Sequence, residues 1–407
     1  MAIYSLDNTV QHYAWGSTDA LPAMLGKENP SGEPWAELWM GAHPRAPSLA
    51  VDPVGGERKP LDALIADDPD ATIGPDAARR FGGKLPFLFK LLSAAKPLSI
   101  QAHPSKRKAE HGFALEESKG IPIDAAERNY KDPNHKPETV VAQTAFEGLC
   151  GFRPIVDIID NARLIAPDDW ERLIGRLAYD PCKLELSSFF YLFVSIGGDH
   201  KAKRLRYAKA RSERIVADEP KSSERSRLFS WILRLMDEYP GDIGALAPLA
   251  LNLFELRPGE AINLPPGEPH AYLRGTAAEI MANSDNVLRG GLTSKHVDIP
   301  EFISTLGFDS AVVEPLEPIL GDDGFYAYPC GVPDYSLSRA EVDGALPVGA
   351  RAASPEILLC VDGTVSLEAA SGAAIELPRG ASAFVCADER AYVLRGSGAV
   401  YRAGVPA

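Results

Sequence analysis

The chain lacks a cysteine framework. Its five cysteines, Cys150, Cys182, Cys330, Cys360 and Cys386, are odd in number, scattered, and include no Cys-x-x-Cys. That excludes a disulfide scaffold and a zinc ribbon, and a reducing compartment is expected. It also lacks a long apolar run. The longest uncharged one, around Ile243–Phe254, is too short to span a bilayer and contains Pro248. Basic surplus is absent as well: the formal net charge is −14 and the pI near 5.1. A nucleic-acid partner is therefore not expected, since such domains are normally basic. The first residues, MAIYSLDNTVQHYAWG, have neither a basic stretch nor an apolar core, so they do not read as a signal peptide. A soluble cytoplasmic protein is expected, with no membrane partner. Nothing in the sequence demands a second subunit, so a monomer is expected.

What is present suits an ordinary globular protein of two or three domains. The 407 residues are 45% apolar and 24% charged. Residues 1–60 are rich in Pro and Gly. Residues 85–101 (LPFLFKLLSAAKPLSIQ) read as two apolar strands flanking a small turn, and residues 139–154 as strand again. The period then changes. Trp170, Leu173, Ile174 and Leu177 fall at helical spacing, as do Leu228, Trp231, Ile232, Leu235, Met236 and Tyr239 before Pro240-Gly241. The basic run Lys201 to Arg214 fits a solvated helix face. Strand signals return from Leu251 to about Phe308. Short alternating runs broken by glycine fill the tail, where Asp362-Gly363 reads as a hairpin turn. The expected organisation is mainly β with a helical insertion. Residues 1–154 and 251–317 would form one domain, 155–250 a helical insertion, and 318–407 a C-terminal jelly-roll-like β-sandwich.

Three distant segments concentrate polar chemistry. Residues 130–138 read YKDPNHKPE, and few buried segments tolerate so many polar side chains without partners. Gln101-x-His103 places two ligand atoms on one side of a strand, because residues i and i+2 share a face. Pro266-Gly-x-x-His270 offers a second imidazole, and Glu138 a carboxylate. Gln101, His103, Glu138 and His270 together suit a zinc-type ion, with Mn²⁺ and Fe²⁺ also compatible. His135 is expected beside this group rather than in it. The remaining histidines, His12, His43, His111, His200 and His296, read as ordinary core or surface residues.

Residues 259–270 (GEAINLPPGEPH) follow G-x5-P-x-G-x2-H and resemble the second motif of the cupin superfamily, a jelly-roll fold with a metal at its mouth. The Asn expected four residues after the His is replaced by Arg274. The first cupin motif is altered too: Gln101 stands for its first His, and Glu138 follows only after a long loop. That departure is itself a family pattern. AELWMGAHP (36–44), LSIQAHP (98–104), YKDPNHKPE (130–138), PPGEPHAYL (265–273) and EIMANSDNVLRGGLTSK (279–295) together resemble type I phosphomannose isomerases. The matches run in order over most of residues 1–310.

The resemblance implies a cupin-type catalytic domain and one Zn²⁺ per chain. It also implies interconversion of mannose 6-phosphate and fructose 6-phosphate, a proton moving between C1 and C2 through an enediol(ate). The family's zinc ligands fall on Gln101, His103, Glu138 and His270. Its active-site arginine falls on Arg289 and a lysine on Lys295. Ser99, Lys136, Tyr272, Glu279 and Asp285 match positions lining the family's cavity, and Trp15 matches an aromatic wall. Arg289, Lys136, Glu279 and Asp285 are the expected catalytic residues. Ser99, Lys295, Tyr272 and Trp15 are expected to bind the substrate, with Ser99 and Lys295 on the phosphate. The base is open between Glu279, Lys136 and a metal-bound water, which spacing does not separate. Two other readings compete. A metal cupin such as an oxygenase would leave Lys295 and Ser99 unexplained. A non-catalytic sugar sensor would be expected to have lost a ligand or Arg289.

Overall fold

The computed structural model describes residues 3–165, 170–348 and 354–406. Two large antiparallel sheets and a set of helices make up the molecule, so it is mainly β with a helical part, as expected. One sheet carries the strands in the order 251–256, 146–152, 270–282, 87–94, 37–41 and 9–11. Strands 100–102, 138–142, 261–264 and 288–291 join it off this path. The other sheet is built from the C-terminal strands. Strand Ser336–Val348 pairs with Tyr392–Gly404, which pairs with Glu356–Ala369, which pairs with Ser382–Val385. Strand Ile3–Asp7 then adds to Ser382–Val385, followed by Leu49–Val51 and Arg58–Pro60. The hydrogen-bonded sheet thus draws in strands from the first sixty residues.

Strand alternation decides where the polar site can form. Along Phe87–Ala94, Phe87, Phe89 and Leu91 face the other sheet, in one core with Tyr335, Leu337, Ile357, Leu359 and Tyr401. The intervening Leu88 and Leu92 belong to separate clusters on the opposite side. Lys90 lies between them in the pleat, so it must take that second side. Strand His270–Ala282 repeats this. Ala278 and Ile280 join the intersheet core, while Ala277 and Met281 turn away, and Glu279 with them. Both faces are covered, which is why these strands are buried throughout most of their length.

The main group of helices, from Ile155–Ile165 to Glu224–Glu238, lies between strands 146–152 and 251–256. The two periodic stretches are the helices Glu171–Tyr179 and Glu224–Glu238, and the basic run lies on Gly198–Asp218. Trp170, Ile174, Leu177, Phe190, Phe193, Phe229, Trp231 and Ile232 share one core with strand residues Ile100, Leu149, Ala271 and Leu288. The helical segment therefore backs the strands that carry the Gln-x-His and Pro-Gly-x-x-His motifs.

Two local expectations are corrected. Strands Phe87–Ala94 and Ile100–Ala102 do not pair with each other. Each pairs with a different part of the long strand His270–Ala282. Asp362-Gly363 is not a hairpin turn but an internal kink in strand Glu356–Ala369, with a register shift between Cys360 and Asp362. Gly363 has φ +68°, and a Cβ there would approach the Ser397 carbonyl oxygen to 2.1 Å. Glycine serves the close backbone approach at a bulge.

Candidate metal centre

His103 follows the short strand Ile100–Ala102, and Glu138 and His270 each open a strand. The Gly267 amide donates to the His103 carbonyl at 2.8 Å, so the two histidine motifs are tied directly. His103, Glu138 and His270 converge so that one ligand atom from each lies within 4.8 Å of the others, and all three are buried. Gln101 sits opposite His270 on one side of its strand and opposite Arg289 on the other. Residues directly opposite in an antiparallel pair share a face. Gln101, His270 and Arg289 are thereby set on one side.

The hydrogen bonding of the two imidazoles reveals what the centre is for. His103 Nδ1 lies 2.7 Å from the Asn286 carbonyl oxygen, and His270 Nδ1 2.9 Å from that of Glu268. A carbonyl only accepts, so in each neutral ring Nδ1 carries the proton and Nε2 presents a bare lone pair. Both Nε2 atoms are buried without a hydrogen-bond partner. They nevertheless lie 3.2 and 3.4 Å from the two Glu138 oxygens. Lone pairs facing a carboxylate at that range repel unless a cation lies among them. The two orphaned nitrogens and the carboxylate therefore fit a zinc-type ion, and the backbone-bound Nδ1 atoms are the supports such ligands use.

The electrostatics agree. Burial, with the nearby Lys136 cation, lowers His103 to about 4, so the ring is neutral and ready to ligate. Burial alone would raise Glu138, but Lys136 and the two histidines hold it well below the usual carboxylate range. Lys136 Nζ lies 3.0 Å from Glu138 Oε1. The Tyr272 hydroxyl donates to Glu279 Oε1 at 2.8 Å and lies 3.2 Å from Glu138 Oε2. Burial raises Tyr272 well above its ordinary value, with the two carboxylates adding to it.

Glu279 leads to residues that motif reading missed. Lys90 Nζ donates to Glu279 Oε2 at 2.9 Å and lies 3.6 Å from Glu37, whose Oε2 accepts from Trp39 Nε1 at 2.6 Å. Burial works against the Lys90 cation, but Glu279, Glu37 and Glu138 more than offset it. Glu279 is raised by burial and by the other two carboxylates, with Lys90 opposing. Three buried acids share two lysines here, and while Glu138 is held anionic, Glu279 is pushed toward its protonated form. The available signal was a lysine inside an otherwise apolar strand, FLFKLL, and a glutamate in ELWMG.

Asp285 stands apart from the metal group. Arg45 Nη2 is 2.6 Å from one of its oxygens and His43 Nε2 3.5 Å from the other. Burial would raise it, but His43, Arg45 and Lys136 lower it instead. His43, expected to be an ordinary core or surface residue, is 2% exposed, packs edge-on against Trp39, and so belongs to the site's surroundings. Arg289 and Lys295 have no carboxylate within 4 Å among the described residues. Burial depresses both, and Arg289 and Arg45 depress Lys295 further. Trp15 packs against the apolar cluster that holds Tyr272, and stacks on Tyr13. Ser99 lies half-buried just before strand Ile100–Ala102, and among the described residues no side-chain hydrogen bond ties it to the metal group.

A jelly-roll-type β fold with one buried two-histidine, one-carboxylate centre and uncompensated cations beside it defines a metal-dependent cupin-type enzyme for an anionic substrate. The comparisons with known proteins narrow this. The model for "Phosphomannose isomerase type I, catalytic domain" matches residues 3–155. The chain is 40% identical over 400 residues to mannose-6-phosphate isomerase of Escherichia coli, covering 98% of each, and 35% identical to the Homo sapiens enzyme, covering 95% and 94%. A crystal structure of the Salmonella typhimurium enzyme bound to substrate and a zinc atom superposes with a TM-score of 0.90 at 39% identity, covering all of both chains. The chain belongs to the type I phosphomannose isomerase family, the zinc-dependent aldose–ketose isomerases. These findings support the isomerase, not the oxygenase or the sensor. No helix among the described residues is long and apolar enough to cross a membrane.

Proposed function

We propose that this chain interconverts mannose 6-phosphate and fructose 6-phosphate with the residues assembled above. The observation that carries this reading is the pair of orphaned Nε2 atoms facing Glu138 beside two uncompensated cations. His103, Glu138, His270 and Gln101 would hold zinc. Bound there, zinc supplies a Lewis acid for the oxygens at C1 and C2.

The remaining roles follow from charge and placement. Lys295 and Ser99 bind the phosphate, which supplies the anion that Lys295 lacks, and Trp15 lines the sugar. Ring opening removes the anomeric hydroxyl proton, breaks the bond from C1 to the ring oxygen, and protonates that oxygen. Asp285, held anionic by His43 and Arg45, accepts the first proton, and Lys136 delivers the second. Glu279, raised above the ordinary carboxylate range, takes the C2 proton and returns it to C1. Tyr272 holds Glu279 against Glu138. The electron pair of the broken C–H bond becomes the C1–C2 double bond, and the C1 carbonyl pair passes to its oxygen as the enediolate that Arg289 stabilises. The C2 hydroxyl proton moves to the C1 oxygen as the carbonyl re-forms at C2.

The expected partition at 154/155, 250/251 and 317/318 is proposed as a division of labour: a catalytic unit, a helical backing and a C-terminal sheet. The five free thiols suit the cytoplasm, and we read the protein as a cytoplasmic monomer.

A coupled assay for fructose 6-phosphate tests the reaction. Chelated protein is expected to lose turnover and to regain it with one zinc per chain; no turnover by zinc-loaded protein refutes the reading. Glu279→Gln is expected to keep zinc but lose about a hundredfold in rate, and with it solvent deuterium uptake at C2. Uptake at the unmodified rate would remove Glu279 as the base.

A further inference from the structure

We infer that Asp334, on the segment leading into the C-terminal strand Ser336–Val348, is a positioning residue for the reaction and holds Lys136 through His135. The inference rests on the role given to Lys136 above. Residues 129–137 form neither helix nor strand, so side chains must fix their path. The first half is anchored to residues 283–286. Asn286 Oδ1 accepts from the Lys131 amide at 2.7 Å, and Asp132 accepts from the Ser284 hydroxyl and the Asp285 amide at 2.9 and 2.7 Å. The same anchor reaches Asn134, whose carbonyl accepts from Asn286 Nδ2 at 2.8 Å and whose Nδ2 donates to the Asn283 carbonyl at 3.1 Å. The His135 side chain has a different one. His135 Nε2 donates to Asp334 Oδ2 at 2.9 Å, across 199 residues of sequence.

That pair is not an ordinary surface contact. Asp334 is 4% exposed, and His135 is its one hydrogen-bond partner among the described residues. A carboxylate is costly to bury, and a single partner makes its placement demanding. Lys136 sits between this anchor and a second one. The Pro137 carbonyl accepts from the Ala282 amide at 3.2 Å, and the residue before a proline is confined to extended backbone. With both neighbours fixed, Lys136 Nζ is held against Glu138. The C-terminal segment meets the site independently one residue further on. The Tyr335 and Thr139 hydroxyls lie 3.2 Å apart, and Asn263 Nδ2 donates to the Pro329 carbonyl at 2.9 Å. Removing the Asp334 carboxylate therefore releases the His135 side chain next to Lys136, while these contacts keep the C-terminal segment docked.

The test compares Asp334→Ala, His135→Ala and the double variant. Each single variant is expected to bind one zinc and to lose about tenfold to a hundredfold in kcat, since misplacement by an ångström costs that much. KM should stay within about threefold, because the phosphate contacts lie elsewhere. The double variant should be no slower than the slower single, as expected when one residue acts through the other. A folded, zinc-loaded Asp334→Ala with kcat within about twofold of the parent overturns the proposal. So does a double variant whose loss is the product of the two singles. A purely structural role would instead lower Tm and leave kcat per folded, zinc-loaded site unchanged. If Asp334→Ala does not fold, Asp334→Asn paired with His135→Ala carries the same comparison. Lys136→Ala separates the two readings: a parental rate there removes the role of Lys136, whatever the Asp334 variants do.

Discussion

His270→Ala is expected to bind no stoichiometric zinc and to lose at least about a thousandfold in activity. Zinc content by mass spectrometry and the coupled assay check both at once. His270 contributes one of two bare Nε2 lone pairs aimed at Glu138, and its ring is fixed by the bond from Nδ1 to the Glu268 carbonyl. Alanine leaves His103 and Glu138, with the weak amide proposed for Gln101, one donor too few for a closed site. A Lewis acid is worth several kcal/mol of charge stabilisation, and each 1.36 kcal/mol is tenfold in rate. The loss of about 4 kcal/mol is thus a thousandfold. Zinc binds only the folded chain, so the variant is also expected to melt as the chelated parent does, below the zinc-loaded parent. A variant that retains one tightly held zinc per chain would show that His270 is not a ligand.

What the sequence makes legible here depends on range. Gln101-x-His103 and Pro266-Gly-x-x-His270 order their side chains by spacing within one strand or turn, and His103 and His270 do converge on Glu138. Glu138 is legible because a loop crowded with polar residues ends on it. The helices at 171–179 and 224–238 follow from a period that needs no knowledge of the rest of the chain. Lys90 and Glu37 are different. Each is one charge in an apolar strand, and its meaning appears only when the pairings Lys90↔Glu279 and Trp39↔Lys90 bring three strands into register. His43 likewise acquires a role only through Asp285, far along the chain. The misread Asp362-Gly363 shows the converse. The dipeptide does mark a backbone reversal of φ, but long-range pairing with Tyr392–Gly404 turns it into a kink instead of a hairpin. Asp334 carries no motif at all, because its significance comes from one contact across sheets.

Arg289→Ala is expected to keep one zinc per chain and to lose on the order of a thousandfold in kcat/KM, the largest effect of any substitution outside the ligand set. Removing one donor from a preorganised charge-stabilising site costs roughly a hundredfold to a thousandfold, and this donor carries a full charge. Arg289 pairs with Gln101 across strands 288–291 and 100–102, so it is set by backbone register rather than by a partner side chain. It has no carboxylate partner among the described residues, and burial already pulls its pKa down. An anion restores what burial takes away, so the side chain gains most when the phosphate or the enediolate is present. An unpaired, partly buried cation contributes little to the resting fold, and its loss is expected to leave Tm unchanged or slightly raised. Arg289→Lys keeps the charge but not the planar fork, and should recover only part of the rate. A fall in kcat at constant KM would assign Arg289 to the enediolate, and a rise in KM at constant kcat to the phosphate. A kcat/KM within about threefold of the parent would reduce Arg289 to a residue of the strand edge, and the family's cationic site in this chain would then rest on Lys295.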